Sequence, residues 1–329
     1  MQTSHFLSAS KSVRSKLWTF LYFLMLPGFV AGGAKASEKN ATPTRSLVLN
    51  WKAEPQFGGF YAAQFKNPIQ VKEGGSGTPT LKMVQSGVAD YGIVSGEEIL
   101  ISRDRSGDKN AVVAIFAAYQ ESPLVLIAHE NRNFQGIEDF FTKDGVLAVQ
   151  SGLAFFQFLQ KKYGPPKAKV VPYSGGVQFF LAQPNYSQQG FLTSEPLLIE
   201  KAGKKSKVFL VADSGFRPYN TVVIVRQSFL RSNRKEVVQF VQDVRKGWGT
   251  YLKNPQATNE KMARLNPAMD ADTFEKSAKA QVPLILTSET EAQGLGFMAT
   301  KRWKDLIEAL LDLKILKSSV RPESVFENL

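Results

Sequence analysis

Short runs of apolar and β-branched residues alternate along this chain with segments whose apolar positions recur every three or four residues. The runs are Leu47 to Asn50, Ile69 to Lys72, Tyr91 to Val94, Val112 to Ala118, Leu124 to His129, Val146 to Val149, Lys169 to Pro172, Gly190 to Leu192, Val208 to Val211 and Thr221 to Val225. Between them, Leu81, Val84 and Val88, then Phe155, Phe158 and Leu159, fall at helical spacing. Further on, Val237, Val238, Phe240, Val241 and Val244 share a face that Trp248 and Leu252 extend until Asn254-Pro255 stops the helix. Leu306, Ile307, Leu310 and Leu311 mark one more amphipathic helix, and both late helices read as core packing. Such alternation predicts an α/β architecture with mostly parallel sheets. No internal repeat, low-complexity tract or heptad pattern interrupts it.

Several predicted strands run straight into the chemistry of a helix start. Leu47, Val48 and Leu49 lead through Trp51, Phe57 and Gly58-Gly59 to a helix beginning at Phe60. Thr78-Pro79 offers an N-cap and a first helical residue, and Ser95-Gly96-Glu97-Glu98 follows the run at Tyr91. Ser151-Gly152, Ser174-Gly175-Gly176 and Thr193-Ser194-Glu195-Pro196 repeat the arrangement. Each is an ordinary capping pattern by itself; the series carries the inference. In open parallel sheets these turns gather at the carboxyl edges of the strands, where ligands bind, so they are expected to face one cleft. The candidate ligand-binding residues are Trp51, Phe57, Gly58, Tyr61, Ser95, Glu97, Tyr119, Ser151, Gly152, Tyr173, Glu195 and Tyr219, with Phe155 beside them. Aromatic faces of this kind stack on planar rings. Glu97 and Glu195 lie in first helical turns, where the helix dipole favours an ionised carboxylate that accepts hydrogen bonds. Neither arginine nor histidine occurs in the five turns from Thr78 to Pro196, although an anion site would call for a cation.

The first 36 residues read as an export leader. Lys11, Arg14 and Lys16 precede an apolar stretch from Leu17 to Val30, and Ala34-Lys35-Ala36 has the small-x-small form that predicts cleavage after Ala36. That stretch is shorter than the ~20 residues of a membrane span and is broken by Pro27 and Gly28. Of the formal net charge of +12, the leader supplies four basic residues and no acidic one, leaving +8 on the rest. The remaining excess sits in solvated clusters such as Lys201 to Lys207, with no nucleic-acid module. Cysteine is absent, which excludes disulfides, thiolate metal sites, cysteine nucleophiles and a lipidated cysteine anchor. A periplasmic, monomeric protein free in solution is the expectation, with no cofactor and no metal.

The wording of these segments resembles the NMT1/THI5-like periplasmic solute-binding proteins. Trp51 with the Gly-x-Tyr-x-Ala phrase at Gly59 to Ala63 is similar to the start of that family, and Ser86-Gly87-Val88-Ala89-Asp90-Tyr91-Gly92 to its "sGxaDfg" segment. Gly136 to Phe140 stands at its "xxxDLkGK" phrase, without the closing Gly-Lys. Gly190 to Pro196 resembles its "GyxtnEP", and Gly296-Phe297-Met298 with Arg302-Trp303 its C-terminal phrase. The compact Gln64-Phe65-Lys66-Asn67-Pro68 departs from the longer first helix of the family, which makes ligand identity less transferable than fold.

The resemblance implies a two-lobed type II periplasmic-binding-protein fold, each lobe a mostly parallel sheet flanked by helices, joined by two crossing strands near Leu124 to Glu130 and Arg217 to Val225. One lobe would comprise residues 45–127 and 222–329, the other residues 128–221. It also implies capture of a small molecule between the lobes and delivery to an ABC permease in the inner membrane. The residue types favour an aromatic N-heterocycle such as a thiamine pyrimidine precursor or riboflavin. Alternatives are a nitrate, sulfonate or taurine binder of the same fold, or a ligand-binding sensor component. A THI5-like enzyme is the poorer reading: the pyrimidine synthases among the relatives imply a cysteine-rich motif and a catalytic histidine, whereas this chain has no Cys and only His5 and His129.

Overall fold

The computed structural model describes residues 44–107, 110–150 and 152–329. The expected leader, its cleavage site after Ala36 and the candidate Ser151 lie outside the described residues. Ten strands form two five-stranded sheets. The first contains β1 (Arg45–Val48), β2 (Ile69–Lys72), β3 (Tyr91–Val94), β4 (Val112–Tyr119) and, from much later in the chain, β10 (Asn220–Arg226), in the order β2-β1-β3-β10-β4. The second contains β5 (Leu124–His129), β6 (Val146–Val149), β7 (Lys169–Pro172), β8 (Tyr186–Phe191) and β9 (Ser206–Leu210), in the order β7-β6-β8-β5-β9.

The ten apolar runs each became a strand, but the sheets are mixed. β1 pairs in parallel with β2 and β3, whereas β10 runs antiparallel to β3 and β4. The second sheet repeats the scheme: β6 is parallel to β7 and β8, and β5 is antiparallel to β8 and β9. In both sheets the reversed strand is the one that arrives directly from the other sheet, so it enters at the edge where the parallel strands end. The crossings themselves occupy the short stretches between Tyr119 and Leu124 and between Leu210 and Asn220. β5 and β10 therefore lie wholly in their sheets, and the crossings fall before them instead of within them. Strand β8 begins four residues earlier than its apolar run, because Ser187, Gln188 and Gln189 are buried polar members that apolarity does not mark.

The first sheet is backed by the long helix Arg234–Lys253, whose Val237, Phe240, Val241, Val244, Trp248 and Tyr251 are buried at helical spacing. Tyr91 of β3 stacks on Phe240 with ring centroids 3.7 Å apart. The short helix Gly58–Gln64 packs across Arg234–Lys253 at very close range. A Cβ on Gly59 would lie 2.1 Å from the Trp248 ring and one on Gly247 would lie 2.3 Å from the Gly59 carbonyl oxygen. The helix Thr300–Asp312 buries Trp303, Leu306, Ile307 and Leu310. Among the described residues, no helix is long and apolar enough to cross a membrane.

Candidate functional site

The parallel strands β1, β3, β6, β7 and β8 end, and the reversed strands β5 and β10 begin, around a cavity with about 960 Å³ of empty space, part of it open to solvent. From the first sheet come Trp51 and Glu54 after β1, and Ser95, Glu97 and Glu98 after β3. From the second come Gln150 and Phe155 after β6, Tyr173 after β7, and Gln189 and Glu195 around the end of β8. Asn220 and Thr221 open β10 at the same edge. Thr221 holds φ at +52°, a left-handed conformation that is strained for a β-branched residue.

The two aromatic walls face each other. The Trp51 indole and the Tyr173 ring are inclined by 10° with centroids 6.5 Å apart. Trp51 reaches this position because Gly175, at φ +94°, leaves room: a Cβ there would lie 3.2 Å from the indole. Its Nε1 donates to Glu54 Oε1 at 3.2 Å. On the opposite wall, Glu195 accepts from the Tyr173 hydroxyl at 2.5 Å and from the Phe191 backbone N–H at 2.7 Å. Gly190 makes space for that carboxyl, since a Cβ there would lie 2.9 Å from Glu195 Oε2.

Helix Gly96–Ser106 begins with a capping box. Ser95 N–H donates to Glu98 Oε1 at 2.9 Å, and the Ser95 hydroxyl donates to Glu97 Oε2. Burial works against the helix dipole that was expected to hold Glu97 and Glu195 ionised. Desolvation, with Glu98 adding to it, pushes the Glu97 carboxyl up to about 8. Glu54 is likewise pushed up to about 8, by burial and then by the neighbouring Glu195, against the smaller opposing effects of Trp51 and Lys52. Burial also raises Glu98 and Glu195 above the ordinary carboxylate range.

Of the residues singled out in the sequence, Trp51, Ser95, Glu97, Tyr173 and Glu195 line this cavity, as does Phe155. Six others do not. Phe57, Gly58 and Tyr61 are buried in the packing of helix Gly58–Gln64, with Gly58 against the Tyr251 ring. Tyr119 is fully buried and its hydroxyl donates to Gln281 Oε1 at 2.6 Å. Tyr219 is buried too: its hydroxyl accepts from Ala299 N–H at 2.8 Å and Arg302 covers its ring. Gly152 lines a neighbouring groove with Thr80, Gln85, Arg105 and Gln157. Thr78 does not cap: its hydroxyl accepts from Gly75 N–H at 2.8 Å, and Pro79 takes the N-cap position.

The cavity also gathers Glu54, Glu98, Gln56, Gln150, Gln189 and Asn220, which sequence reasoning did not single out. The polar run Ser187 to Gln189 inside an otherwise apolar strand is the signal that was present for Gln189. Among the described residues, no lysine, arginine or histidine lines the cavity. No group of three or more His, Asp or Glu there is arranged to hold a metal ion. His129 lies elsewhere, with Nε2 shared between the carbonyls of Phe180 and Gln183 at 2.8 and 3.1 Å.

Two mixed α/β sheets with a cleft at their facing edges define the periplasmic-binding-protein fold, and solved structures share it. The periplasmic aliphatic sulphonate binding protein SsuA of Escherichia coli superposes with a TM-score of 0.63 at 10% identity, over 88% of this chain and 94% of that one. The ligand-binding component of an ABC-type import system from Staphylococcus aureus, solved with zinc bound, gives 0.61 at 14% identity, over 87% and 97%. A Candida albicans gene product described as having the generic periplasmic binding protein fold gives 0.59 at 13%, over 88% and 98%. No curated protein matches the sequence. The profile of the family described as NMT1/THI5 like matches residues 54–258, more than half of the chain, and the chain belongs to that family.

Proposed function

We propose that this protein is an extracytoplasmic solute-binding protein: it captures a small molecule between two lobes and presents it to an ABC permease, without chemistry of its own. The lobes are those built on the two sheets, residues 45–119 with 220–329 and residues 124–210. The observation that carries the reading is the cavity itself, which draws aromatic and carboxylate side chains from the edges of both sheets. An exported location follows from the leader in residues 1–36. Nothing about His129 suits it to act as a base toward this cavity, since its Nε2 is engaged by two carbonyls away from the cleft.

The ligand this cavity suits is an aromatic N-heterocycle, such as a thiamine pyrimidine precursor or riboflavin. Trp51 and Tyr173 offer parallel ring faces, and the glutamates offer acceptors for ring amino groups. A sulfonate, which the Escherichia coli neighbour is described as binding, or a nitrate would meet carboxyl groups and no cation. A thermal-shift screen of the protein against hydroxymethylpyrimidine, riboflavin, taurine, alkanesulfonates and nitrate tests this. A ligand at about 100 times its Kd adds about 2.7 kcal/mol of stability, enough to raise Tm by a few degrees. A shift with a heterocycle is the expected result; a shift with only a sulfonate or nitrate would overturn the ligand class and leave the transport role standing.

A further inference from the structure

The number of carboxyl groups in the cavity goes beyond what a neutral heterocycle needs. Four carboxyl groups converge on it: Glu54, Glu97 and Glu98 from the first sheet's side and Glu195 from the second's. Glu195 spends one oxygen on Tyr173 and the other on Phe191, which fixes the second wall. Glu54 and Glu98 each have one oxygen engaged, by Trp51 and by Ser95 N–H respectively, and no protein partner for the other, while Glu97 is held by the Ser95 hydroxyl and its own backbone N–H. An independent sign of a missing ligand is Gln56. This residue is 7% exposed, lines the cavity, and its side-chain amide has no hydrogen-bond partner within the protein. That amide borders the open cleft, so a solute that closes over it must supply its partner.

We propose that the solute is an organic cation, its charged nitrogen lying against the Trp51 and Tyr173 faces within reach of the Glu54, Glu97 and Glu98 carboxylates, with the Gln56 amide reading a polar substituent. This rests on the solute-binding reading and narrows its ligand class. Aromatic faces attract a desolvated cation through the ring quadrupole, and Trp is the strongest of them. Carboxyl groups around the same space can ionise against a bound cation and supply its compensating charge, which a neutral ring gives them no reason to do. In the empty cleft burial raises Glu54 and Glu97 to about 8, and a cation placed beside them is what draws them into the charged form. A bare metal ion fits less well, because the walls also present Leu124, Leu153 and Phe155 and no metal-holding group of ligands is formed among the described residues.

The test is a charge series of one shape. Nicotinamide methylated on its ring nitrogen is a planar cation, nicotinamide is its neutral relative and nicotinate its anion; thiamine and zinc chloride complete the set. Each is titrated at millimolar concentration into the intact protein, read by thermal shift and tryptophan fluorescence. The methylated cation or thiamine should bind, roughly tenfold or more tightly than the neutral and anionic relatives, and bind more weakly as salt is raised. Glu54→Gln and Glu98→Gln should each cost the cation roughly tenfold in affinity while leaving Tm of the empty protein equal or higher. Equal or tighter binding of nicotinamide or nicotinate overturns the charge inference, as does binding of zinc alone. Stabilisation by a compound of the preceding screen but by no cation sinks this inference and keeps the solute-binding role; no stabilisation by any compound in either set sinks both.

Discussion

Glu195 illustrates how one side chain sets a wall of the cleft. It closes a ring from the end of β8 through its own helix start to Tyr173, accepting two hydrogen bonds in a space that Gly190 keeps open. Glu195→Ala leaves the Tyr173 hydroxyl and the Phe191 N–H without their partner, so it should lower stability by about 1–3 kcal/mol in urea unfolding. Glu195→Gln preserves an acceptor and a donor of the same shape and should cost less. Trp51 belongs to the opposite case. It is half-buried, whereas Trp248 and Trp303 are sealed in cores, so a ligand in the cleft should perturb Trp51 fluorescence selectively. Trp51→Phe should abolish the ligand-dependent emission change while the protein still unfolds cooperatively; a change that persists would place the ligand elsewhere. Both residues stand directly after strands, which made them legible in the sequence. Phe57, Gly58, Tyr61, Tyr119 and Tyr219 were not separable from them, because residue type does not reveal whether a position turns to the cleft or to a core. Glu54 and Glu98 escaped notice for the converse reason: an acid near a helix start looks like an ordinary cap or surface charge.

Between elements, the decisive contact is the crossing of helix Gly58–Gln64 over Arg234–Lys253. Gly58 was expected at the ligand, yet what comes close to the Gly58-Gly59 backbone is another helix: Tyr251 lies over Gly58, Trp248 over Gly59, and Gly247 against the Gly59 carbonyl. Phe60 adds an edge-to-face contact with Trp248 at 5.5 Å between centroids. Overpacking at such a site typically costs 1–3 kcal/mol, and here the obstructing atoms include backbone. Gly247→Ala should therefore lower stability by about 1–3 kcal/mol or more, read as a lower urea midpoint with unchanged slope. Cleft binding measured well below that midpoint should remain near normal; binding lost with stability intact would return these glycines to the ligand site. The elements themselves were the most legible level, since each of the ten strands contains part of an apolar run, although β8 is mostly polar and extends well before its own. Their direction was not. Apolarity does not encode whether a buried strand runs parallel or antiparallel, and only the return of the chain from one sheet to the other reverses β5 and β10. Long-range connectivity is what local pattern lacks: the resemblance implied a return of residues 222–329 to the first lobe, and β10 does join the first sheet.

For the whole molecule, the cleft couples protonation to stability and to ligand capture. Glu54 faces Glu195, Lys52 and Trp51, and Glu97 faces Glu98 and Ser95; the two carboxyls rise from 4.5 to about 8. The folded, empty protein thus holds protons between pH 4.5 and about 8 that the unfolded chain has released. Their stabilising contribution is complete below pH 4.5 and is lost as pH rises through about 8, at up to about 1.4 kcal/mol per pH unit for each group. Asp270 acts oppositely: hydrogen bonds from Lys201 and Thr273 hold it at about 2, so its contribution disappears only in acid, below the range where the glutamates titrate. Tm of the empty protein should consequently fall between about pH 5 and pH 8. A bound cation requires the carboxylates ionised and draws their pKa values down, so binding releases protons. Its affinity should climb with pH up to about 8 and level off above, and the Tm of the complex should decline less steeply than that of the empty protein. Glu54→Gln removes one of the two groups and should flatten both profiles. Paired Tm measurements across pH 5 to 8, with and without the methylated nicotinamide cation, check the coupling; a flat profile for the empty protein would show that the carboxyls are already ionised and that the cleft carries its negative charge at no cost.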